Sequence, residues 1–312
     1  RTLKVTFLID GEVAHERVCN DIVVGDVWFV AAPPGKFEVP SGAKPTGPVR
    51  MMARKAKRFS HHAPSRYSVC VSRTPLNRFA SEWTDATGLA TAIGNRIAAK
   101  TGNPVGVIFM QSAMTSMGRG VPAKDLTTLK SWIPVTGLED APSLLEDYKD
   151  LAAIRPGNTH YDANAKQYLT AWKKYWNDYI PQMITDRSVP DNVAWGSYPT
   201  LAASVSSKAS EVYNVMVHSF TPTELKGILF MASPAMVEED QGARFGEQMS
   251  ALANSWKGRF EGEEIHFLYT LPNKALAPKI TKPKGIEGKS SPIPISEWDN
   301  LGGVLDAISK AE

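Results

Sequence analysis

Cysteine, net charge and long apolar runs are all scarce in this chain of 312 residues. Its two cysteines, Cys19 and Cys70, are too few for a four-ligand zinc site or a disulfide framework, and they could form one bridge or stay two ordinary thiols. The net charge of +3, from 35 basic and 32 acidic residues, gives no long-range field that would attract nucleic acid. No apolar run approaches the roughly 20 residues of a membrane-spanning helix, so no transmembrane segment is expected.

The local charged clusters are also poor candidates for binding sites. The basic run from Arg50 to Arg58 lacks the interleaved aromatic residues on which single-stranded nucleic acid stacks, so it is interpreted as a solvated strand edge or loop. His61, His62 and His160 have no carboxylates at metal-ligand spacing, and we expect surface histidines there. The acidic run 238–240 could hold a hard cation, but such a run more often favours the positive end of a following helix. The sequence therefore predicts neither a metal nor a cofactor.

Apolar periodicity predicts a fold in which strands and helices alternate. An N-terminal hairpin over residues 1–22 turns at Asp10-Gly11 and is expected to pack on the main domain, 23–312. The predicted strands lie at 27–30, 67–72, 105–110, 227–231 and 265–271, and the predicted helices at 83–101, 143–151, 162–180, 245–256 and 298–311. Residues 273–295 are rich in Pro and Lys and are expected to be extended and exposed. This alternation predicts a three-layer α/β/α domain with a central parallel sheet.

The loop after the first buried strand lacks catalytic side chains. Ligands of open α/β sheets bind outside the carboxyl ends of the strands, which is where the segment from Ala31 to Lys36 is expected to lie. This segment contains no hydroxyl, thiol, imidazole or carboxylate, and its one charged residue is Lys36.

An aromatic stripe marks the predicted helix 162–180. Its members recur at helical spacing, and they are Tyr168, Trp172, Tyr175, Trp176 and Tyr179. Such a stripe is most often part of the core, although rings with polar tips also suit a groove for a sugar or a protein partner. A glycan-binding role for Trp172, Trp176 or Trp195 would require an exposed aromatic surface.

Three sequence phrases, in the correct order, resemble the sialate O-acetylesterase-like carbohydrate esterases of the SGNH hydrolase superfamily. The phrases are Val-Val-Gly-Asp-Val-Trp at 23–28, Asn-Pro-Val-Gly-Val-Ile at 103–108, and the stretch from Tyr213-Asn214-Val215-Met216 to the strand 227–230. The resemblance covers most of residues 1 to 275. It implies a flavodoxin-like three-layer fold, a carbohydrate ester as ancestral substrate, and export to the periplasm or the cell exterior.

The positions that carry catalysis in this family differ in the present chain. By resemblance, the nucleophilic serine corresponds to Pro34, an oxyanion-hole glycine to Ala32, and neighbouring Gln and Asn to Pro33 and Gly35. The second block becomes Ala-Met-Thr-Ser at 113–116, the third becomes Ala-Ser-Pro-Ala-Met at 232–236, and no histidine follows His266. Proline offers neither a nucleophile nor a backbone N–H, so Pro34 removes two requirements of acyl transfer at once.

These departures predict a catalytically inactive member of the family. It would serve as a glycan-binding module or as a binding or structural component of a larger assembly. The residues expected to line the vestigial cleft are Ala32, Gln111, Ser112, His218 and Ser233. The alternative is an esterase with a rebuilt site, in which Ser233 is the nucleophile and His218 the base, oriented by Asp240 or Glu239.

Overall fold

The computed structural model describes residues 1–32, 47–54, 83–111, 128–153, 159–186, 209–237, 240–272, 275, 278–284, 292–293, 305 and 308. The strands are β1 (Leu3–Ile9), β2 (Glu12–Cys19), β3 (Asp26–Ala32), β4 (Val49–Arg54), β5 (Thr84–Asp85), β6 (Val105–Gln111), β7 (Gly227–Phe230), β8 (His266–Thr270) and β9 (Pro292–Ile293). The α-helices are α1 (Gly88–Thr101), α2 (Leu129–Trp132), α3 (Val135–Leu138), α4 (Leu145–Ala153), α5 (Thr159–Lys174), α6 (Ile180–Asp186) and α7 (Phe245–Lys257). Shorter π and 3₁₀ turns occupy Pro142–Leu144, Tyr175–Tyr179, Tyr213–Val217, His218–Phe220 and Pro234–Val237.

The main sheet has the order β5-β4-β6-β3-β7-β8-β9. All neighbouring strands run parallel except the short β5, which is antiparallel to β4. The predicted α/β class with a central, mainly parallel sheet is therefore confirmed. Counted along the chain, the six parallel strands lie in the order 2-3-1-4-5-6, whereas flavodoxin has 2-1-3-4-5. The difference is one added strand, because without β4 the other five parallel strands lie in the order 2-1-3-4-5, as in flavodoxin.

Helices cover both faces of this sheet. Strand residues alternate between the faces: Phe29 and Phe230 point to the side of α2, α3 and α7, and Val30 and Leu229 point to the side of α1. Leu305 and Ile308 are helical, as predicted for the last helix, and pack on the α1 side. The central strands are buried on both faces, which explains why their sequences are continuously apolar.

The N-terminal hairpin forms as predicted, around a two-residue turn. Asp10 and Gly11 both have positive φ, 52° and 85°, as a type I′ turn requires, and β1 and β2 pair antiparallel. The side chains of both strands are exposed apart from the half-buried Cys19, which is a free thiol. Asp21, at the base of the hairpin, accepts a hydrogen bond from Arg50 at 2.7 Å through its carbonyl oxygen, and its carboxylate pairs with the same guanidinium. The proposed division of the chain at residue 22 stays a prediction.

Two segments differ from the expectations. Arg50 begins the basic run that was assigned to a strand edge or loop, but it belongs to β4, which is hydrogen-bonded on both sides, to β5 and β6. Within 273–295, Ile280 is buried and β9 joins the sheet, so this segment is not exposed throughout. The predicted strand 67–72 lies outside the described residues. Within the part of the chain that the structure describes, no helix is long and apolar enough to cross a bilayer.

Candidate functional site

Three predicted cleft positions lie at one edge of the sheet. Ala32, the last residue of β3, pairs with Gln111, the last residue of β6. On the other side of β3, the amide of Met231 donates to the carbonyl of Ala31 at 2.8 Å, so the chain leaving β7 runs beside the end of β3. Ser233 follows directly. Pro33, Pro34, Gly35, Ser112 and the second block at 113–116 lie outside the described residues.

This edge contains the topological switch point of the sheet. From β3 the chain proceeds to β4 on one side, and from β7 it proceeds to β8 on the other side. In open α/β sheets the crevice outside the carboxyl ends of two such strands is the usual ligand site. Ala32 and Ser233 follow the two strands of this switch point. The cleft that the sequence predicted there stays a prediction.

Ser233 is a buried hydroxyl without a hydrogen-bond partner among the described residues. The residue is 5% exposed, and no described group lies within hydrogen-bonding reach of its Oγ atom. Its backbone carbonyl is used, because it accepts the amide of Met236 at 3.0 Å in the 3₁₀ turn Pro234–Val237. The neighbouring hydroxyl of Thr270 is satisfied by the carbonyl of Ala232, at 3.1 Å. A buried polar group without a partner costs free energy, so Ser233 stands out on this edge.

His218 lies at the opposite end of β7. It opens the 3₁₀ turn His218–Phe220, and the segment between this turn and β7 is held at the amino edge of the sheet, where Leu225 donates to Glu261 and Lys226 donates to Val27. Ser233 follows the carboxyl end of the same strand. Since a strand rises about 3.3 Å per residue, β7 alone separates its two ends by about 10 Å. The structure therefore does not bring Ser233 and His218 together as nucleophile and base.

Two described side chains lie close to the imidazole ring of His218. Its Nδ1 lies 3.5 Å from the hydroxyl of Thr221, and its ring centroid lies 6.2 Å from that of Tyr213. Burial raises the pKa of Tyr213 to about 12, against a smaller opposing effect of Arg259, so this phenol stays protonated at neutral pH.

Asp240, the predicted orienter of His218, is engaged in a turn. One carboxylate oxygen accepts the amide of Gly242 and the other accepts the amide of Arg244, each at 2.9 Å. These bonds organise the entry to α7 and leave Asp240 in a structural role. Glu239, the other proposed orienter, lies outside the described residues, as does Glu238. Among the described residues no cluster of three or more His, Cys, Asp or Glu side chains could hold a metal ion.

Three clefts among the described residues open at the amino edge of the sheet, away from the switch point, and the smallest, of about 280 Å³, lies between the end of α1 and the entries to β4 and β6. One, of about 780 Å³, lies between the base of the hairpin and the sheet and includes Arg50, Trp83 and Pro104 in its lining. The third, of about 510 Å³, lies beside the entries to β3 and β7. These clefts were not predicted from the sequence. The glycine at position 25 was the one relevant sequence feature, because a Cβ atom there would lie 2.0 Å from the carbonyl oxygen of Pro104. The segments that lead into β3 and β6 therefore approach each other closely.

The aromatic stripe lies on α5 and on the π turn that follows it, and its two tryptophans are exposed. Trp172 is 42% exposed and Trp176 is 49% exposed, while Tyr168, Tyr175 and Tyr179 are half-buried. The interpretation of this stripe as core is therefore wrong for both tryptophans. The spacing of these aromatic residues correctly placed them on one helical face, but no described element packs closely over that face. Trp195 lies outside the described residues.

Comparison with known proteins gives one informative structural likeness. No family model matches the chain, and no curated protein matches it. The crystal structure of a novel carbohydrate acetylesterase from Xanthomonas citri is similar, with a TM-score of 0.51 and 15% sequence identity, over 95% of this chain and 57% of that one. The fold of this chain therefore resembles that of the acetylesterase. At this identity the likeness establishes the fold alone, and the chain spans less than two thirds of that esterase's length.

Proposed function

We propose that this chain is a carbohydrate-binding protein built on an esterase fold and that it does not hydrolyse esters at the ancestral site. One observation carries the proposal. The strands that meet at the switch point end in Ala32, Gln111 and the Ser233 segment, which supply one hydroxyl, and the histidine proposed to activate it lies at the other end of β7. Acyl transfer needs a nucleophile and a base within hydrogen-bond reach of each other.

The sequence after Ala32 supports the same proposal. The next residues are Pro33, Pro34 and Gly35, which contain no hydroxyl and two residues without a backbone N–H. In the related esterases, by resemblance, the nucleophile and part of the oxyanion hole come from this point in the chain. A protein that keeps the fold but replaces both features has lost the groups that the reaction needs, whereas binding does not require them.

The proposal is tested by assaying the purified protein with aryl acetates and O-acetylated sugars, next to the variant Ser233→Ala. We expect no turnover above the uncatalysed rate in either protein. Thr91→Val is the matched control, because Thr91 is a buried hydroxyl on α1 that also lacks a described partner. Turnover that persists in Thr91→Val and disappears in Ser233→Ala would overturn the proposal.

The second candidate function is ester hydrolysis by a rebuilt site at Ser233. It is favoured by the buried, unpartnered hydroxyl of this residue beside the switch point. Because His218 is remote from Ser233, this candidate predicts that His218→Ala leaves the rate unchanged. A serine-directed fluorophosphonate should then label Ser233, as mapped by peptide mass spectrometry. An unlabelled Ser233 in folded protein would rule this candidate out.

The proposal also covers where the protein acts and whether it acts alone. We propose that the protein acts outside the cytoplasm, by the resemblance to exported esterases, and that it works alone on a glycan rather than as a subunit of an assembly. Size-exclusion chromatography of the native protein with light scattering separates these cases. Elution as part of a larger complex would favour the subunit role.

A further inference from the structure

The aromatic residues at the end of α5 and in the π turn that follows it form a surface, here called the aromatic ridge, of Trp172, Tyr175, Trp176 and Tyr179. Both tryptophans are exposed and both tyrosines are half-buried. The ring centroids of Trp172 and Trp176 are 5.6 Å apart with planes inclined by 55°, and Tyr175 meets Trp176 edge to face at 5.8 Å. Lys174 lies over the ring of Tyr179, with Nζ 5.8 Å from its centroid. The π turn Tyr175–Tyr179 occupies the centre of the ridge, and such turns are frequent at functional sites.

We propose that the aromatic ridge is a binding surface for a neutral oligosaccharide. This inference rests on the proposed function and names the surface that performs it. A pyranose ring has an apolar C–H face and hydroxyl groups around its edge. Indole rings match this pattern, because their faces are apolar and their N–H groups donate hydrogen bonds at the rim, and the tyrosine hydroxyls add donors and acceptors.

The exposed area of the ridge fits a glycan better than a second protein. If a tryptophan presents about 250 Å², exposures of 42% and 49% leave about 230 Å² of indole surface accessible. A stable protein interface buries about 800 Å² on each partner, several times more than these rings provide. An exposed patch of a few hundred Å² is the size that often serves a binding function on a monomer.

The charges around the ridge argue against an anionic ligand or membrane. From 159 to 186 the helices carry three lysines and three aspartates, which are Lys166, Lys173, Lys174, Asp162, Asp178 and Asp186. Helices that lie on anionic lipid have a polar face rich in lysine and arginine. Because the charges here balance, neither a phospholipid surface nor a polyanionic sugar gains from long-range attraction. The ligand that remains is a neutral carbohydrate chain.

The test measures binding of the full chain to soluble acetylated xylan, deacetylated xylan and arabinogalactan by isothermal titration calorimetry. We expect binding of at least one of these polymers, with Trp172→Ala and Trp176→Ala each weakening it tenfold or more. Leu169→Ala is the matched control, because this residue is equally exposed on the same helix but is not aromatic, and it should change the affinity less than twofold. Trp172→Tyr keeps a ring and should retain most of the binding.

The outcomes separate this inference from the proposed function. If the protein binds a polymer and both tryptophan variants bind equally well, the ridge is not the site, although the chain still binds carbohydrate. If the protein hydrolyses acetyl esters, the proposed function fails, whereas binding to deacetylated xylan still tests the ridge. Failure to bind all three polymers, or a dimer that Trp176→Ala converts to a monomer, would overturn the inference.

Discussion

The buried hydroxyl of Ser233 leads to a prediction that stability measurements can decide. The residue is 5% exposed and its Oγ atom has no described partner, so folding removes the hydroxyl from water without compensation. Mutational data place that cost at about 1–3 kcal/mol. Ser233→Ala removes the buried hydroxyl but leaves a void of one atom, and the cost of this void offsets part of the stabilisation. We expect a net stabilisation of about 1 kcal/mol, equivalent to about 2 °C in Tm for a chain of this size.

The neighbouring Thr270 provides a control with the opposite sign. It is buried at the same edge of the sheet, but its hydroxyl donates to the carbonyl of Ala232 at 3.1 Å. Thr270→Val preserves the shape of the side chain and loses this bond, so it should destabilise the protein by about 1 kcal/mol. Urea unfolding followed by tryptophan fluorescence, with unchanged m values, measures both differences. A loss of 1 kcal/mol or more in Ser233→Ala would refute the reasoning, because it would show that the hydroxyl has a partner in the native protein.

Three further predictions concern the framework around the site. Gly227→Ala should destabilise the protein by about 1–3 kcal/mol in thermal unfolding, because the new Cβ would lie 2.5 Å from the buried ring of Trp28; equal stability would contradict this packing. Burial raises the pKa values of Tyr213 and Tyr269 to about 12, so stability is intact below pH 10 and falls as the pH rises from about 10 to 12; replacing both by Phe should flatten this fall in urea titrations at each pH. Asp240→Ala should cost about 1 kcal/mol through loss of two hydrogen bonds to the turn before α7, Asp240→Asn should cost less, and neither should alter any esterase activity.

Local features of the fold were predictable because local chemistry determines them. Asp10-Gly11 specifies a two-residue turn because both residues adopt positive φ readily, and Gly102 ends α1 with φ 74° as the glycine of a left-handed cap. The continuously apolar sequences of β3, β6 and β7 predicted strands buried on both faces.

Non-local features were not predictable in the same way. Arg50 and its neighbours in β4 show little strand pattern, and that segment is a strand because β6 and β5 pair with its two sides. The period of the aromatic stripe identified the helical face of Trp172 and Trp176, but periodicity carries no information about whether another element covers that face.

The separation of Ser233 from His218 could have been foreseen from the sequence. Residues 227–231 were predicted as a buried strand, and the two residues lie on opposite sides of it in the chain. A strand carries the chain from one edge of a parallel sheet to the other, so residues that flank it cannot meet unless a long loop returns across the sheet. The catalytic-pair hypothesis placed Ser233 just after this strand and His218 in the loop before it, and the topology separates these two positions.

That topology also sharpens what an active enzyme on this scaffold would require. A base for Ser233 must come from the carboxyl edge of the sheet. The hydrogen-bond donors for an oxyanion must come from the same edge, because they stabilise the transition state only when they face the atom on which charge develops. At this edge β3 ends in buried Ala31 and Ala32, and the buried Thr270 at the end of β8 is already hydrogen-bonded to Ala232. The described strand ends therefore supply packing rather than catalytic groups. Binding of a ligand through shape and backbone groups needs none of these catalytic groups, so the proposed binding function makes fewer demands on this edge than hydrolysis would.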